Sequence, residues 1–190
     1  MGRIIDLNLR RNLVDIQKSE IVNRKMLLAS LYLTAYEILK SSIVDQIYCS
    51  YQIGMDENHN KIIDPKYETE VLSLDKCKLI ASTKWLIKSD ALTENDLKKI
   101  RQIREHRNEI AHELQDIVFY HDRDIKIELI KPIRDLVFKI DSWWIKNVEI
   151  PIHNQVSSNQ IPENEEIIAL SGPVIILDII IENVIKGIVN

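Results

Sequence analysis

The sequence predicts an all-α protein, an up-and-down helical bundle of four to five helices. Of its 190 residues, 45% are hydrophobic and 28% charged, a mixture that is typical of a folded domain rather than a disordered chain. Its four glycines are fewer than the turns of an all-β protein require. Apolar residues also recur at helical spacing in several long segments, which favours helices throughout.

The longest helical pattern extends from Ser19 to Tyr51 and forms the first helix of the predicted bundle. Apolar side chains cover nearly all of its circumference, which is typical of a helix at the centre of a bundle or at a subunit interface. Glu37 lies on one of these apolar flanks, where a lone carboxylate is costly. We expect this carboxylate to reach the surface, to pair with an arginine, or to support a catalytic cation.

Local signals predict the elements that follow the first helix. They are a polar loop over 54–65, a helix over 68–88, a helix over 93–115, a basic and aromatic loop over 116–124, and a helix over 132–148. Thr93 and Asp96 are spaced as in a capping box, and Pro132 suits a first helical turn. Three tryptophans are expected to anchor the core or an interface: Trp85, Trp143 and Trp144.

We divide the chain into a helical bundle over 1–150 and a C-terminal extension over 151–190. The extension begins with a polar stretch and ends in an apolar, β-branched segment over 173–189. That segment is interrupted by Asp178 and Glu182 and is shorter than the roughly 20 apolar residues that span a bilayer. A helix that packs on the bundle or on a partner is our favoured interpretation, and a buried strand is the alternative.

Charge and cysteine content narrow the functional classes. The formal charge of −4 excludes a globally basic nucleic-acid-binding protein, so any such site must be a local patch. Cys49 and Cys77 match neither a metal-binding spacing nor a disulfide framework, which favours a reducing compartment. The N-terminal residues show no secretory signal pattern, and Asp6 breaks the myristoylation pattern. We expect a cytoplasmic protein without a membrane partner.

The third predicted helix carries an arginine in an unusual place. Two sets of residues share its faces: Ile103, Ile110, Ala111 and Leu114 form an apolar stripe, and Arg101, Arg104, Asn108 and His112 form a polar ridge. Arg107 falls near the centre of the apolar stripe. A guanidinium there needs an ion partner, a subunit interface or an anionic ligand. A purely structural ion pair with Glu37 is the alternative to a functional role.

The groups around Arg107 are those that RNA cleavage requires. The imidazole of His112 can take or give a proton near neutral pH. The guanidinium of Arg107 can hold a phosphate and stabilise the charge that develops on it. The basic residues of the same helix are placed to hold the backbone of a single RNA strand. The alternative is that they form an ordinary solvent-exposed helix face. These residues are Lys98, Lys99, Arg101 and Arg104.

The segment Arg107-Asn108-Glu109-Ile110-Ala111-His112 resembles the motif of the HEPN superfamily. The organisation over 19–148 is also similar, with a long first helix, the motif on a late helix and a tryptophan-bearing helix after it. The resemblance implies a homodimer with one composite cleft and metal-independent, cofactor-free endoribonuclease activity that leaves 2′,3′-cyclic phosphate ends. It implies a bacterial toxin or an anti-phage defence protein. Arg107 and His112 would be the catalytic pair, positioned by Asn108 and supported by Glu37.

One position departs from the pattern of this family. HEPN toxins that a nucleotidyltransferase antitoxin inactivates carry a tyrosine two residues after the motif histidine, whereas this chain has Leu114 there and its nearest tyrosine is Tyr120. Tyrosine modification is therefore not expected. The sequence leaves open whether the protein acts alone, with an antitoxin, or as the effector of a sensor protein.

Two other functional classes are compatible with parts of the sequence. A non-catalytic dimerisation or interaction module, such as an antitoxin or immunity component, would keep Arg107 in a structural salt bridge. Glu109 and His112 form half of a di-iron carboxylate motif, but the sequence has no second half, so we expect no metal site. We interpret the neighbouring His106 as an ordinary exposed side chain without a catalytic role.

Overall fold

The computed structural model describes residues 19–119, 123–156 and 171–189. Its elements in chain order are α1 (Ser19–Ser50), β1 (Gln52–Met55), β2 (Lys61–Ile63), α2 (Lys66–Glu70), α3 (Lys78–Lys88), α4 (Glu94–Phe119), α5 (Ile130–Trp144), α6 (Ile150–Val156) and α7 (Gly172–Val189). Short 3₁₀ turns lie at Leu72–Leu74 and Ile127–Leu129, and a π-helical stretch, Ile145–Glu149, joins α5 to α6. The described chain is mostly helical, which confirms the predicted all-α class.

Helix α1 is the central element, as its apolar circumference predicted. It packs against α3, α4, α5 and α7. Its fully buried residues include Tyr32, Ile43 and Ile47, and the Tyr32 hydroxyl donates a hydrogen bond of 3.1 Å to the Ile103 carbonyl on α4. Each buried aliphatic side chain of this kind contributes about 1.5–3 kcal/mol. Burial around α1 therefore fixes where α4 lies.

The stretch Glu20–Ser50 of α1 is long and apolar enough to cross a membrane, by length and composition only. Half of the window that meets this criterion is buried inside the protein, and a core helix meets the same criterion. The finding is weak evidence for a membrane span.

The three tryptophans confirm their predicted role in the core. The rings of Trp85 and Trp144 stack with centroids 6.2 Å apart, and Trp143 meets Trp144 edge-on at 5.2 Å. The indole N–H of Trp85 also donates to the Tyr51 hydroxyl at 3.2 Å. These contacts join the end of α1 to α3 and α5 through large apolar surfaces.

The predicted loop over 54–65 is wrong, because much of this segment belongs to an antiparallel β-hairpin. Gln52 pairs with Ile63 and Met55 with Lys61. The carboxylate of Asp56 accepts the backbone N–H groups of Asn58 and Asn60, both at 2.8 Å, and so closes the turn. The polar residues that predicted a loop are the ones that form the turn of this hairpin.

The single helix predicted over 68–88 is also wrong. Helix α2 ends at Glu70, and α3 begins only at Lys78. Between them, Asp75 Oδ1 accepts the backbone N–H of Cys77 at 3.0 Å, and Asp75 Oδ2 binds Lys84 Nζ at 2.8 Å. A short aspartate side chain that bonds to the backbone in this way competes with the helix and interrupts it.

The start of α4 agrees with the prediction, whereas its end and both ends of the next helix differ from it. The capping box is confirmed, since Thr93 N–H donates to Asp96 Oδ2 at 2.9 Å and Asp96 N–H donates to Thr93 Oγ1 at 3.3 Å. Helix α4 then continues to Phe119, so the predicted loop over 116–124 begins later, and Tyr120 lies outside the described residues. The helix predicted over 132–148 starts at Ile130, and helical structure continues through the π stretch to Val156, into the polar stretch that begins the predicted extension.

The apolar C-terminal segment is a helix, which settles the choice between helix and strand. Helix α7 packs on α1 and α5, with Val174 and Leu177 fully buried. Arg134 of α5 binds both carboxylate oxygens of Asp178, at 3.0 and 2.9 Å. In this structure α7 therefore packs on the bundle.

Candidate functional site

Arg107 connects α4 to α1 at the surface of the bundle. Its Nη2 lies 3.3 Å from Glu37 Oε1, and its Nη1 donates to Asn108 Oδ1 at 3.4 Å. The guanidinium carbon lies 5.3 Å from the centroid of the Tyr36 ring, one residue before Glu37. Three of the four predicted catalytic residues are thus brought into contact, because α4 packs along α1.

The pair of Arg107 and Glu37 is half-exposed, with 33% and 49% of the side-chain surfaces accessible. Arg107 therefore lies at the edge of the buried face of α4, and the expectation that it lies near the centre is wrong. Exposed ion pairs contribute about 0–1 kcal/mol to folding. A structural salt bridge of this kind does little to hold the bundle together.

Glu37 is held by two cations. Its Oε2 accepts from Lys40 Nζ at 2.8 Å, and its other oxygen faces Arg107. The hydrogen bond from Lys40, and then that from Arg107, hold the pKa of the Glu37 carboxyl below its usual range. The carboxylate is therefore ionised at neutral pH and fixes the guanidinium in place.

His112 lies on the outer surface of α4. In a helix, residues four apart lie about 40° apart around the axis and one turn along it, so His112 neighbours Asn108. Its side chain is exposed, and within the described residues no hydrogen bond or ion pair engages it. The next residue, Glu113, has non-helical backbone angles (φ −120°, ψ 21°) and marks a kink in α4. The imidazole is thus accessible to a ligand.

His106 is the structural histidine of α4, so the prediction that it is exposed is wrong. Only 2% of its surface is accessible. Its Nε2 accepts the backbone N–H of Lys126 at 2.9 Å, its Nδ1 donates to Glu109 Oε2 at 2.7 Å, and the Tyr32 ring meets it edge-on. The bond with His106 lowers the pKa of the Glu109 carboxyl. Helical spacing places His106 on the same face as Ile103 and Ile110, and that signal was available in the sequence.

The predicted RNA-binding residues lie along the same helix. Lys98 and Arg101 are exposed, and Arg104 is half-buried. Part of this ridge lines an open cavity of about 300 Å³ between α4 and the turn before α3, which we call the cradle. Its lining includes Arg101, Arg104, Glu105 and Asn108 from α4, with Asp75 and Cys77 from the turn. The sequence did not predict the cradle, because it depends on how the Asp75 turn packs beside α4.

The metal-binding alternative gains no support from the described residues. Within them, no group of three or more histidine, cysteine, aspartate or glutamate side chains is placed to hold a metal ion. The carboxylate of Glu109, one half of the di-iron pattern, binds His106 and lies 3.5 Å from Lys126 Nζ.

No family model, curated protein or solved structure matches this chain. Its function therefore has to be inferred from the site itself.

Proposed function

We propose that this protein is a metal-independent endoribonuclease of the HEPN type, acting in the cytoplasm as a toxin or an anti-phage defence effector. One contrast on α4 carries the proposal. His106 is held in the core by both ring nitrogens, whereas His112 is exposed and unengaged among the described residues, one helical turn after Asn108, which accepts a hydrogen bond from the Arg107 guanidinium. Phosphodiester cleavage uses a free imidazole for proton transfer and a fixed cation for charge stabilisation.

The reaction needs two proton transfers and charge stabilisation. A base removes the proton of the 2′-hydroxyl, the 2′-oxygen attacks phosphorus, and the bond from phosphorus to the 5′-oxygen breaks. An acid then protonates the leaving 5′-oxygen, which yields a 2′,3′-cyclic phosphate and a 5′-hydroxyl. His112 would carry out one transfer, and Arg107 would bind the non-bridging oxygens. Because the motif contains one histidine, the second transfer calls for the motif of a second copy in a homodimer.

The surroundings of Arg107 are consistent with this role. Glu37 and Asn108 each bind one terminal nitrogen of the guanidinium, and Tyr36 lies against its face. Its Nε is buried and has no hydrogen-bond partner within the described residues. A guanidinium that is oriented in advance and partly desolvated stabilises developing negative charge without reorganising.

The second candidate is a non-catalytic dimerisation or interaction module, an antitoxin or immunity component, in which Arg107 serves only the fold. The ion pair with Glu37 favours it. Its half-exposed geometry argues against a large structural contribution. The two candidates differ in what removal of Arg107 does: loss of activity in a folded protein, or loss of the fold.

The test is incubation of the purified chain with total RNA in EDTA, beside Arg107→Ala and His112→Ala. We expect cleavage by the wild type and at least about a hundredfold slower cleavage by each variant, with unchanged circular dichroism. His59→Asn is the matched control, since His59 is an exposed histidine in the hairpin turn with a positive φ that asparagine tolerates.

Absence of cleavage by the wild type, or full activity of His112→Ala, would overturn the proposal. Unfolding of Arg107→Ala would favour the interaction module. Strong inhibition by EDTA would favour a metal-dependent reaction. Slow growth on expression, relieved by either substitution, is the corresponding result in cells, where an antitoxin or a sensor would be the controlling partner.

A further inference from the structure

The cradle is continuous with the proposed catalytic site. Asn108 lines the cradle and also accepts the hydrogen bond from Arg107 Nη1. Arg104 lies in the cradle, and its charge also acts on the hydroxyl of Tyr36, against whose ring Arg107 packs. A strand of RNA with one phosphate at Arg107 would therefore place its neighbouring nucleotide at the cradle.

The lining of the cradle combines three kinds of group. Arg101 and Arg104 supply hydrogen-bond donors, while Cys77 and Ile80 supply an apolar wall. Asp75 is already engaged by Cys77 N–H and by Lys84, so it shapes the rim. The carboxylate of Glu105 is exposed and takes part in no hydrogen bond or ion pair among the described residues. Glu105 is thus a hydrogen-bond acceptor of the cradle that is available to bind a ligand.

A carboxylate only accepts hydrogen bonds, and this selects among the four bases. Guanine presents two adjacent donors, N1–H and N2–H, that match the two carboxylate oxygens. Adenine and cytosine present one amino group beside an acceptor nitrogen, and uracil presents one N–H between two carbonyls. Arginine in turn pairs with the O6 and N7 acceptors of guanine. The donors and acceptors of the cradle therefore complement guanine best.

We propose that the cradle binds the guanine base next to the scissile phosphate, with Glu105 as the specificity-determining residue. This inference rests on the proposed ribonuclease function, because it assigns the base preference of the same site. Single-stranded RNA is the substrate class, because only an unpaired guanine exposes its N1 and N2 edge to a side chain.

Binding of mononucleotides to the full chain tests the cradle without any need for catalysis. By titration calorimetry we expect 5′-GMP to bind at least about tenfold more tightly than IMP, which lacks the 2-amino group, and than AMP, CMP or UMP. In Glu105→Gln the side-chain amide presents one donor and one acceptor, so the preference for GMP over IMP should disappear. Glu94→Gln, at an exposed position on the same helix outside the cradle, should keep it.

Cleavage of short oligonucleotides that differ in one base separates this inference from the proposed function. Glu105→Gln should still cleave RNA but lose its preference for guanine. Cleavage without base preference in the wild type would overturn the guanine site and leave the nuclease standing. Selective GMP binding without any cleavage would overturn the nuclease and keep the guanine site. Equal or undetectable binding of all five nucleotides would overturn the inference.

Discussion

The two histidines of α4 show how single positions divide between fold and function. They lie six residues apart on one helix, yet His106 is 2% exposed and His112 is on the surface. The difference comes from the direction in which each side chain leaves the helix. His106 points at Tyr32 and the backbone of Lys126, while His112 follows Asn108 along the outer ridge. Only the second is available for chemistry.

Replacing these histidines should separate stability from activity. We expect His106→Ala to lower the free energy of unfolding by about 2–3 kcal/mol, because it leaves a cavity and removes the acceptor for Lys126 N–H. His112→Ala should change it by less than about 0.5 kcal/mol. Urea denaturation followed by circular dichroism measures both. Equal effects of the two substitutions would contradict the structural assignment.

Asp141 is a buried carboxyl whose ionisation opposes folding. Burial raises its pKa, and hydrogen bonds with Ser171, Gln46 and Ser42 offset part of the rise. Because the folded pKa lies above the unfolded value, the associated stability is present below that unfolded value and is lost as pH rises through the folded pKa. At pH 7 the raised pKa of Asp141 therefore costs folding stability.

We expect Asp141→Asn to be more stable than the wild type at pH 7, with the difference shrinking as pH falls towards the unfolded carboxyl pKa of about 4. Thermal unfolding across this pH range measures the difference. A variant less stable than the wild type at pH 7 would show that the ionised carboxylate is well compensated. Asp45→Asn, at an exposed position on α1, is a suitable control.

At the scale of elements, local sequence signals predicted a helix correctly where a side chain at its end bonds to the backbone in a recognisable spacing. The capping box of α4 was readable because Thr93 and Asp96 satisfy backbone donors three residues apart. The hairpin and the break before α3 were missed, because both depend on aspartates that bond to nearby backbone N–H groups. Turns closed by such aspartates have the same amino-acid composition as an irregular polar loop. Composition alone therefore did not distinguish these turns from a loop or from a polar part of a helix.

Removing the cap should weaken the helix that carries the site. We expect Thr93→Ala to cost about 1 kcal/mol, since the Asp96 N–H at the start of α4 loses its side-chain acceptor. Thr93→Ser should retain most of the stability, because serine keeps the hydroxyl. Urea midpoints of the three proteins measure the effect. An unchanged midpoint for the alanine variant would mean that water replaces the cap without loss.

At the scale of the whole molecule, the packing of α7 bears on whether the described chain unfolds in a single transition. Its buried residues Val174 and Leu177 pack against the bundle, and Asp178 binds Arg134. In the predicted division, this helix belongs to an extension over 151–190 that packs on a bundle over 1–150 or on a partner. Because Val174 and Leu177 are fully buried, we expect this helix to unfold together with the bundle as one cooperative core.

Leu177→Ala tests this cooperativity. If α7 belongs to the core, the single unfolding transition should shift by about 2–5 kcal/mol. If it is a separate attachment, the main transition should stay in place and a second, weaker one should appear. Ile176→Ala, at a neighbouring position that is 54% exposed, should have little effect in either case. Denaturation followed by tryptophan fluorescence and circular dichroism together distinguishes the outcomes.

The sequence by itself determined the helical class, the central place of α1 and the cap of α4. These follow from apolar spacing and local hydrogen bonding, which act between residues close in the chain or on one helix face. Only the tertiary structure decided that His106 is buried, that Arg107 forms a half-exposed ion pair with Glu37 and that a cradle lies beside the motif. Each of those depends on which distant backbone, such as that of Lys126 or Asp75, packs against α4.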